Sequence, residues 1–327
     1  MIPLGKIRVV PLADESLGVR SMSVYVQTPD LGILIDAGVS LAPRRYGLPP
    51  HPSEFIKLRE ARERILDYSR LSEVVIISHY HLDHYTPSFP SWYEWTREDT
   101  YEEIYGDKIV LMKDFSNNIN YRQMVRAKYL YEAIKDKAYK ILQVDGKTIR
   151  IGDTIVKFSK PFPHGPPGTR LGWVLMTTVI FDDEKVVHAS DIQGPMDHNA
   201  LEYIIEERPD ILILGGPPLY LEGKKVSMAD IERGMKNMIE LIRRMNIVIL
   251  SHHTLRDLGW KDRLNSAFIE SGESENKVFT MAEYRGMDNM LLEARRKELW
   301  EKMPPNEEFI RWINLKGKDR IKVHPPL

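Results

Sequence analysis

The 327-residue chain carries 46 Lys+Arg against 47 Asp+Glu, a formal net charge of −1, and is 43% hydrophobic and 28% charged. That balance speaks against a basic nucleic-acid arm or a polybasic membrane anchor and for a globular chain with a sizeable core. The absence of cysteine excludes thiolate zinc fingers, iron–sulfur clusters, thiol nucleophiles and disulfides, so any metal site must use His, Asp and Glu.

In chain order, Ile7 to Leu12, Met22 to Gln27 and Gly32 to Ile35 read as short strands separated by Gly, Pro and Asp. Pro49-Pro50-His51-Pro52 reads as a turn, and Ser53 opens a helix with Phe55, Leu58, Arg62 and Ile65 at helical spacing. Val74 to Ile77 is a continuous β-branched run, the pattern of a strand buried on both faces, and it leads straight into Ser78-His79-Tyr80-His81-Leu82-Asp83-His84. Trp92 to Asp107 is aromatic and acidic, without a clean period. Ile109 to Met112 predicts a strand, and Asn120 to Lys137 a helix with Met124, Ala127, Tyr131 and Ile134 on one face. Lys140 to Val144, Thr148 to Ile151 and Thr154 to Ser159 predict strands joined by Asp145-Gly146 and Gly152-Asp153, before a proline-rich elbow around His164.

Trp173 to Phe181, Lys185 to Ala189 and Ile211 to Leu214 predict three more strands. Ser227-Met228-Ala229-Asp230 reads as a capping box before a helical stripe of Ile231, Met235, Met238 and Ile242. Ile247 to Leu250 predicts a buried strand ending in Ser251-His252-His253. From about Leu255 the chain is charged and mostly helical. No linker divides it, so one domain over 1–327 is expected, with a core of about 7–254 and a helical extension of about 255–327. The longest apolar run, Leu171 to Phe181, is too short to span a bilayer, and Lys6 and Arg8 interrupt the N-terminus. Cytoplasm is therefore the expected location, with no membrane partner.

Asp36, the His79–His84 cluster, His164, Asp191 and His252 or His253 all follow apolar strands. Sites in α/β folds gather at carboxyl ends of strands, where loops converge. His79 and His81, two apart on extended chain, face the same way and can reach one ion. A turn after Leu82 turns Asp83 and His84 toward a second. Imidazole and carboxylate suit Zn²⁺, and also Fe or Mn, better than Ca²⁺ or Mg²⁺.

His-x-His-x-Asp-His after a buried strand resembles the signature of the metallo-β-lactamase superfamily. Ile35-Asp36-Ala37-Gly38, His164, Ser190-Asp191 and Ser251-His252 match its other motifs in order, and the chain looks most like an archaeal branch of that superfamily. The resemblance implies an α/β fold, a four-layer αββα sandwich with the helical C-terminal extension. It implies two divalent ions per chain, zinc favoured over iron or manganese. His79, His81 and His164 would hold the first and Asp83, His84 and His252 the second, with Asp191 bridging and Asp36 bracing the cluster by hydrogen bonds. The implied chemistry is hydrolysis by a metal-bridging hydroxide. Redox members place Glu where His81 stands, and lactamase members often place Cys where Asp191 stands, so both activities are disfavoured.

His252 and His253 compete for the fifth motif. The family pattern selects His252, leaving His253 to support it or to donate a proton to the leaving group. His188 is expected to be a packed core histidine and His198 a loop residue, with His51 and His324 exposed. Gly215-Gly216 could admit a substrate close to the backbone or simply make a tight turn. The aromatics of Trp92 to Tyr105 are expected to form a satellite core rather than a lid. The basic segment Arg122 to Lys140 is expected to be a solvated helix face before a phosphate guide. The substrate expectation is a phosphodiester, RNA included although no RNA-gripping arm is seen. The alternatives are a small carboxylic ester, lactone or thioester, or a non-catalytic metal-binding protein.

Overall fold

The computed structural model describes residues 5–271 and 277–327. Two twisted sheets lie face to face. The first runs β1 (Arg8–Ala13), β2 (Ser23–Gln27), β3 (Gly32–Ile35), β4 (Val74–Ile77), β5 (Ile109–Met112) and β6 (Lys140–Gln143) in chain order. β1 to β3 are antiparallel, whereas β3 to β6 are parallel and joined by crossovers. After these, β7 (Thr148–Ile151), β8 (Thr154–Phe158), β11 (Thr177–Phe181), β12 (Glu184–His188), β13 (Ile211–Gly215), β14 (Ile247–Ser251) and β15 (Val278–Thr280) build the second sheet, in the order β15-β14-β13-β12-β11-β8-β7. A small separate pair, β9 (Phe162–Pro163) and β10 (Trp173–Val174), carries the proline-rich elbow.

The alternation of side chains along each strand sets the layers. Val74 and Ile76 of β4 join Ile33, Ile35, Val186, Ile211, Ile213 and Ile249 between the sheets. Val75 and Ile77 point the other way, onto α1 (Pro52–Ser69) through Phe55, Leu58 and Ile65, and α3 (Tyr121–Ile134) through Ala127 and Leu130. On the far side, Leu212, Leu214, Val248 and Leu250 pack under α4 (His198–Glu207), α5 (Met228–Arg244) and α6 (Trp260–Ser271). This is an αββα sandwich. Burying a sheet on both faces demands unbroken apolar runs, which is why Val74–Ile77 and Ile247–Leu250 are legible as strands.

Several expectations need correction. His51 is buried: it N-caps α1, completing a capping box with Glu54, and bonds the Met303 carbonyl at 2.7 Å. His198 opens α4 rather than a loop. Trp173 to Phe181 is two strands in different sheets. The segment after 254 is mostly helical, but β15 extends the second sheet in parallel with β14. α2 (Thr100–Tyr105) lies in the stretch without a clean period, and Trp92, Tyr93, Trp95 and Tyr101 pack on the first core. His188 is a core residue, its Nε2 2.9 Å from the Met22 carbonyl oxygen, and His324 is exposed, its ring tilted against Trp92 with centroids 4.5 Å apart. Among the described residues no helix is long and apolar enough to cross a membrane.

Candidate metal centre

The carboxyl ends of β3, β4, β12 and β14 lie at one edge of the sandwich, and each hands a polar residue to it. Asp36 follows β3 and is fully buried. Its Oδ1 accepts from the Ser78 amide at 2.8 Å; its Oδ2 accepts from the Ser78 hydroxyl at 2.6 Å and pairs with His84 Nδ1 at 2.8 Å. Fixing Nδ1 turns His84 Nε2 toward the cluster, the usual way a carboxylate orients a ligating imidazole. Gly38 makes the approach feasible: a Cβ there would lie 2.2 Å from the Tyr85 amide nitrogen. Arg62 of α1, also buried, donates to the Ala37 carbonyl at 3.1 Å and to Thr86 Oγ1 at 2.7 Å, clamping the loops on either side of the histidines.

Four donor groups result among the described residues, including Asp36 with His79 and His84 and Asp191 with His252 and His253, and the other two match the expected ligand sets. His79, His81, His164 and Asp191 each place one ligand atom within 4.8 Å of the others, and so do Asp83, His84 and His252. His79 Nε2 is 3.2 Å from His81 Nδ1, and His164 Nε2 is 2.7 Å from Asp191 Oδ2. The same Asp191 oxygen lies 3.4 Å from His84 Nε2 and 3.1 Å from His252 Nε2, so it sits between the groups. Asp36 and His252 occupy the left-handed region, with φ of 52° and 66°. Such non-glycine strain costs about 1–3 kcal/mol each and gathers at functional sites.

The donors suit divalent ions. Burial, then the neighbouring imidazoles, push His79 and His81 well below the usual histidine range, so both offer lone pairs. Burial raises the Asp191 carboxyl, but the charges of His252 and His164 outweigh it and hold it well below the usual carboxylate range. Asp191 Oδ1 is buried and has no hydrogen-bond partner among the described residues. An orphaned carboxylate oxygen beside neutral imidazoles is what ion binding uses.

His252 and His253 share the turn after β14. His252 is wholly buried, its Nδ1 3.2 Å from a Glu15 carboxylate oxygen, and it joins the second donor group. His253 stands on the cleft side, 3.2 Å from the Tyr220 hydroxyl and 3.4 Å from Asp191 Oδ1. Burial and the Arg256 charge push His253 down to about 3, so at neutral pH it is a neutral hydrogen-bonding group.

Supporting side chains that the sequence did not single out complete the site. Gln123 of α3 lies 3.3 Å from His81 Nε2, Gln193 lies 3.2 Å from His164 Nδ1, and Glu15 and Arg256 flank His252. Only Arg256, four residues after His252, had a local cue. Gly215 and Gly216 serve packing: added Cβ atoms would lie 2.2 Å from the Ser190 carbonyl oxygen and 2.1 Å from Thr254 Oγ1.

The cluster floors a cleft of about 700 Å³. Its walls include Leu41, Pro43, Leu82, Leu171 and Val226, the acid Glu94, and five cations. Arg20 is paired with Glu293 and Arg256 with Glu15. Arg126, Arg170 and Lys225 make no ion pair among the described residues. Of the basic segment Arg122 to Lys140, Arg126 is the one that reaches the cleft. Burial raises the Glu94 carboxyl to about 7, against the opposing Ser91 hydrogen bond and Arg62 charge.

An αββα sandwich with His-x-His-x-Asp-His at the carboxyl edge, joined there by His164, Asp191 and His252, defines a protein of the metallo-β-lactamase fold. No family model matches the chain. It is 46% identical to a UPF0282 protein of Methanocaldococcus jannaschii over 306 residues, 92% of this chain and 99% of that one. It is 45% identical to one from Methanopyrus kandleri, over 89% and 98% of the two chains. The chain belongs to the UPF0282 family. Among solved structures, the metallo-β-lactamase fold protein YhfI of Bacillus subtilis is 13% identical, with a TM-score of 0.43 over 75% of this chain and 85% of its own.

Proposed function

We propose that this chain is a metal-dependent hydrolase of small anionic esters, phosphodiesters foremost. The observation that carries this reading is one cleft with convergent His/Asp donors on its floor and, on its walls, Arg126, Arg170 and Lys225, which make no ion pair among the described residues. Carboxylates or phosphates pair with such guanidinium and ammonium groups. The metal groups are His79, His81 and His164, then Asp83, His84 and His252, with Asp191 between them. Divalent ions there, zinc first, would supply Lewis acidity and acidify water toward neutral pH.

The chain's own residues do the rest. Arg126, Arg170 and Lys225 draw the anion in from three separate elements and orient it. The apolar wall of Leu41, Leu82 and Leu171 receives its organic part and excludes water. Asp36 and Glu15 fix the ring orientation of His84 and His252. His253 offers a hydrogen bond from the cleft side. Glu94 lines the cleft wall, burial raises its carboxyl to about 7, and it is the group we assign to protonate the leaving oxygen. The cytoplasm and a substrate without a macromolecular partner complete this reading. The apolar wall favours a second reading, hydrolysis of a carboxylic ester, lactone or thioester by the same centre.

The test is hydrolysis of bis(4-nitrophenyl) phosphate and 4-nitrophenyl acetate by zinc-loaded protein, with Asp83→Ala as control. Phosphodiester turnover above the control, with KM raised several-fold in Lys225→Ala and Arg126→Ala, is expected. Turnover of the acetate alone would move the assignment to carboxylic esters. Ion binding without turnover of either would favour the non-catalytic alternative.

A further inference from the structure

Arg256 has no part in the chemistry just described, yet its side chain is buried against the second donor group. It ends the short turn His252–Arg256 and is 2% exposed. Nε donates to Glu15 at 2.7 Å, and Nη1 lies 3.3 Å from the Tyr220 hydroxyl and 3.1 Å from His253 Nδ1. Nη2 lies 3.1 Å from His252 Nε2 and 3.2 Å from its Nδ1, which places it over the face of that ring, and 3.4 Å from Asp83 Oδ2. The guanidinium thus covers one face of His252 and pairs with the Asp83 carboxylate, two of the three second-group donors. The first donor group has a different environment: Ser78 Oγ beside His79, the Gln123 amide beside His81 and the Gln193 amide beside His164. None of these neighbours carries a charge.

A zinc ion needs its ligands at about 2.0–2.2 Å and would compete with Arg256 for the Asp83 carboxylate. A fixed positive charge within a few ångströms also opposes a divalent ion. Glu15 bonds both Arg256 and His252 Nδ1, so the guanidinium is held in place.

We propose that Arg256 makes the two metal positions unequal. The first ion binds tightly to His79, His81, His164 and Asp191. The second binds weakly to Asp83, His84 and His252, because the buried Arg256 charge lies against His252 and Nη2 must give up Asp83. Arg256 is on this view a positioning residue that sets ion occupancy. The inference rests on the reading of the cluster as a metal centre.

The experiment is calorimetric titration of the metal-stripped full chain with Zn²⁺, with elemental analysis after dialysis. Wild type should retain one ion per chain, with a second step weaker by at least about tenfold. Arg256→Gln, which keeps hydrogen-bonding capacity and removes the charge, should tighten the second step several-fold and leave the first unchanged. His84→Ala should remove the weak step alone. Two wild-type ions with affinities within about threefold would overturn the inference while leaving the metal centre standing, and need no variant to fold. An unchanged second step in folded Arg256→Gln would overturn it too. A wild type that retains no ion at all would overturn the metal reading itself, and the inference with it.

Discussion

Replacing Glu94 with Gln tests whether a buried acid in the cleft wall is held protonated by its surroundings. Glu94 is 6% exposed, its carboxyl accepts from the Ser91 hydroxyl, and Arg62 donates to its backbone carbonyl at 3.0 Å, its charge only partly offsetting burial. Burial raises its pKa from 4.5 to about 7. Below pH 4.5 the carboxyl is protonated in folded and unfolded chains alike, and its contribution is fully present. Between 4.5 and about 7 the unfolded chain releases the proton while the folded chain keeps it, so stability falls as pH rises through that window. At about 1.4 kcal/mol per pH unit, the loss is on the order of 3 kcal/mol. Glu94→Gln copies the protonated state and removes this slope. Urea denaturation from pH 4 to 8 with chelator present, so that no ion biases the carboxyl, should show equal midpoints at pH 4. At pH 8 the variant should be the more stable by roughly that amount. Parallel stability curves for the two proteins would refute the reasoning. With zinc loaded, the same variant should lower kcat more than it changes KM if Glu94 protonates the leaving group.

Other perturbations probe the frame and the floor of the cleft. Gly38→Ala forces a Cβ against the His84 and Tyr85 backbone, 2.2–2.4 Å away; a loss on the order of 2–4 kcal/mol is expected, read by thermal unfolding together with bound metal. Arg296 and Glu54 form a buried two-bond pair at 2.7 and 2.8 Å that ties the helix Arg296–Lys302 to α1. Arg296→Met should cost about 3–5 kcal/mol by stranding Glu54, and Glu54→Gln added to it should recover part of the loss; additive losses in denaturant titrations would contradict the coupling. His81→Ala or Asp191→Ala should each lower zinc per chain by elemental analysis, and full retention in both would contradict the ligand assignment.

Much of this fold could be read from local pattern. Val74–Ile77, Ile109–Met112 and Ile247–Leu250 are buried on both faces, so their apolar runs are unbroken and their ends are sharp. Asp36, His79 to His84, His164, Asp191 and His252 were legible because each follows a strand, and strand ends are where the chain is free to turn polar side chains to one edge. What lies between strands was less legible. His51 sits among prolines and looked exposed, yet capping α1 and meeting Met303, 252 residues away, bury it. Trp173 to Phe181 reads as one apolar run, but its two ends pair in different sheets.

The supporting groups could be found only in three dimensions. Glu15 meets His252 across 237 residues and Gln123 meets His81 across 42. A lone Glu or Gln on a helix has no periodic or motif signature, because its role comes from the partner that folding delivers. The Arg256 guanidinium on His252 and Asp83, and the proton held on Glu94, are likewise properties of distance and burial. Sequence determined where the donors stand along the chain, since backbone periodicity is local. Tertiary structure decided their protonation, their orientation and their neighbours, since Coulomb and desolvation energies depend on separations through space.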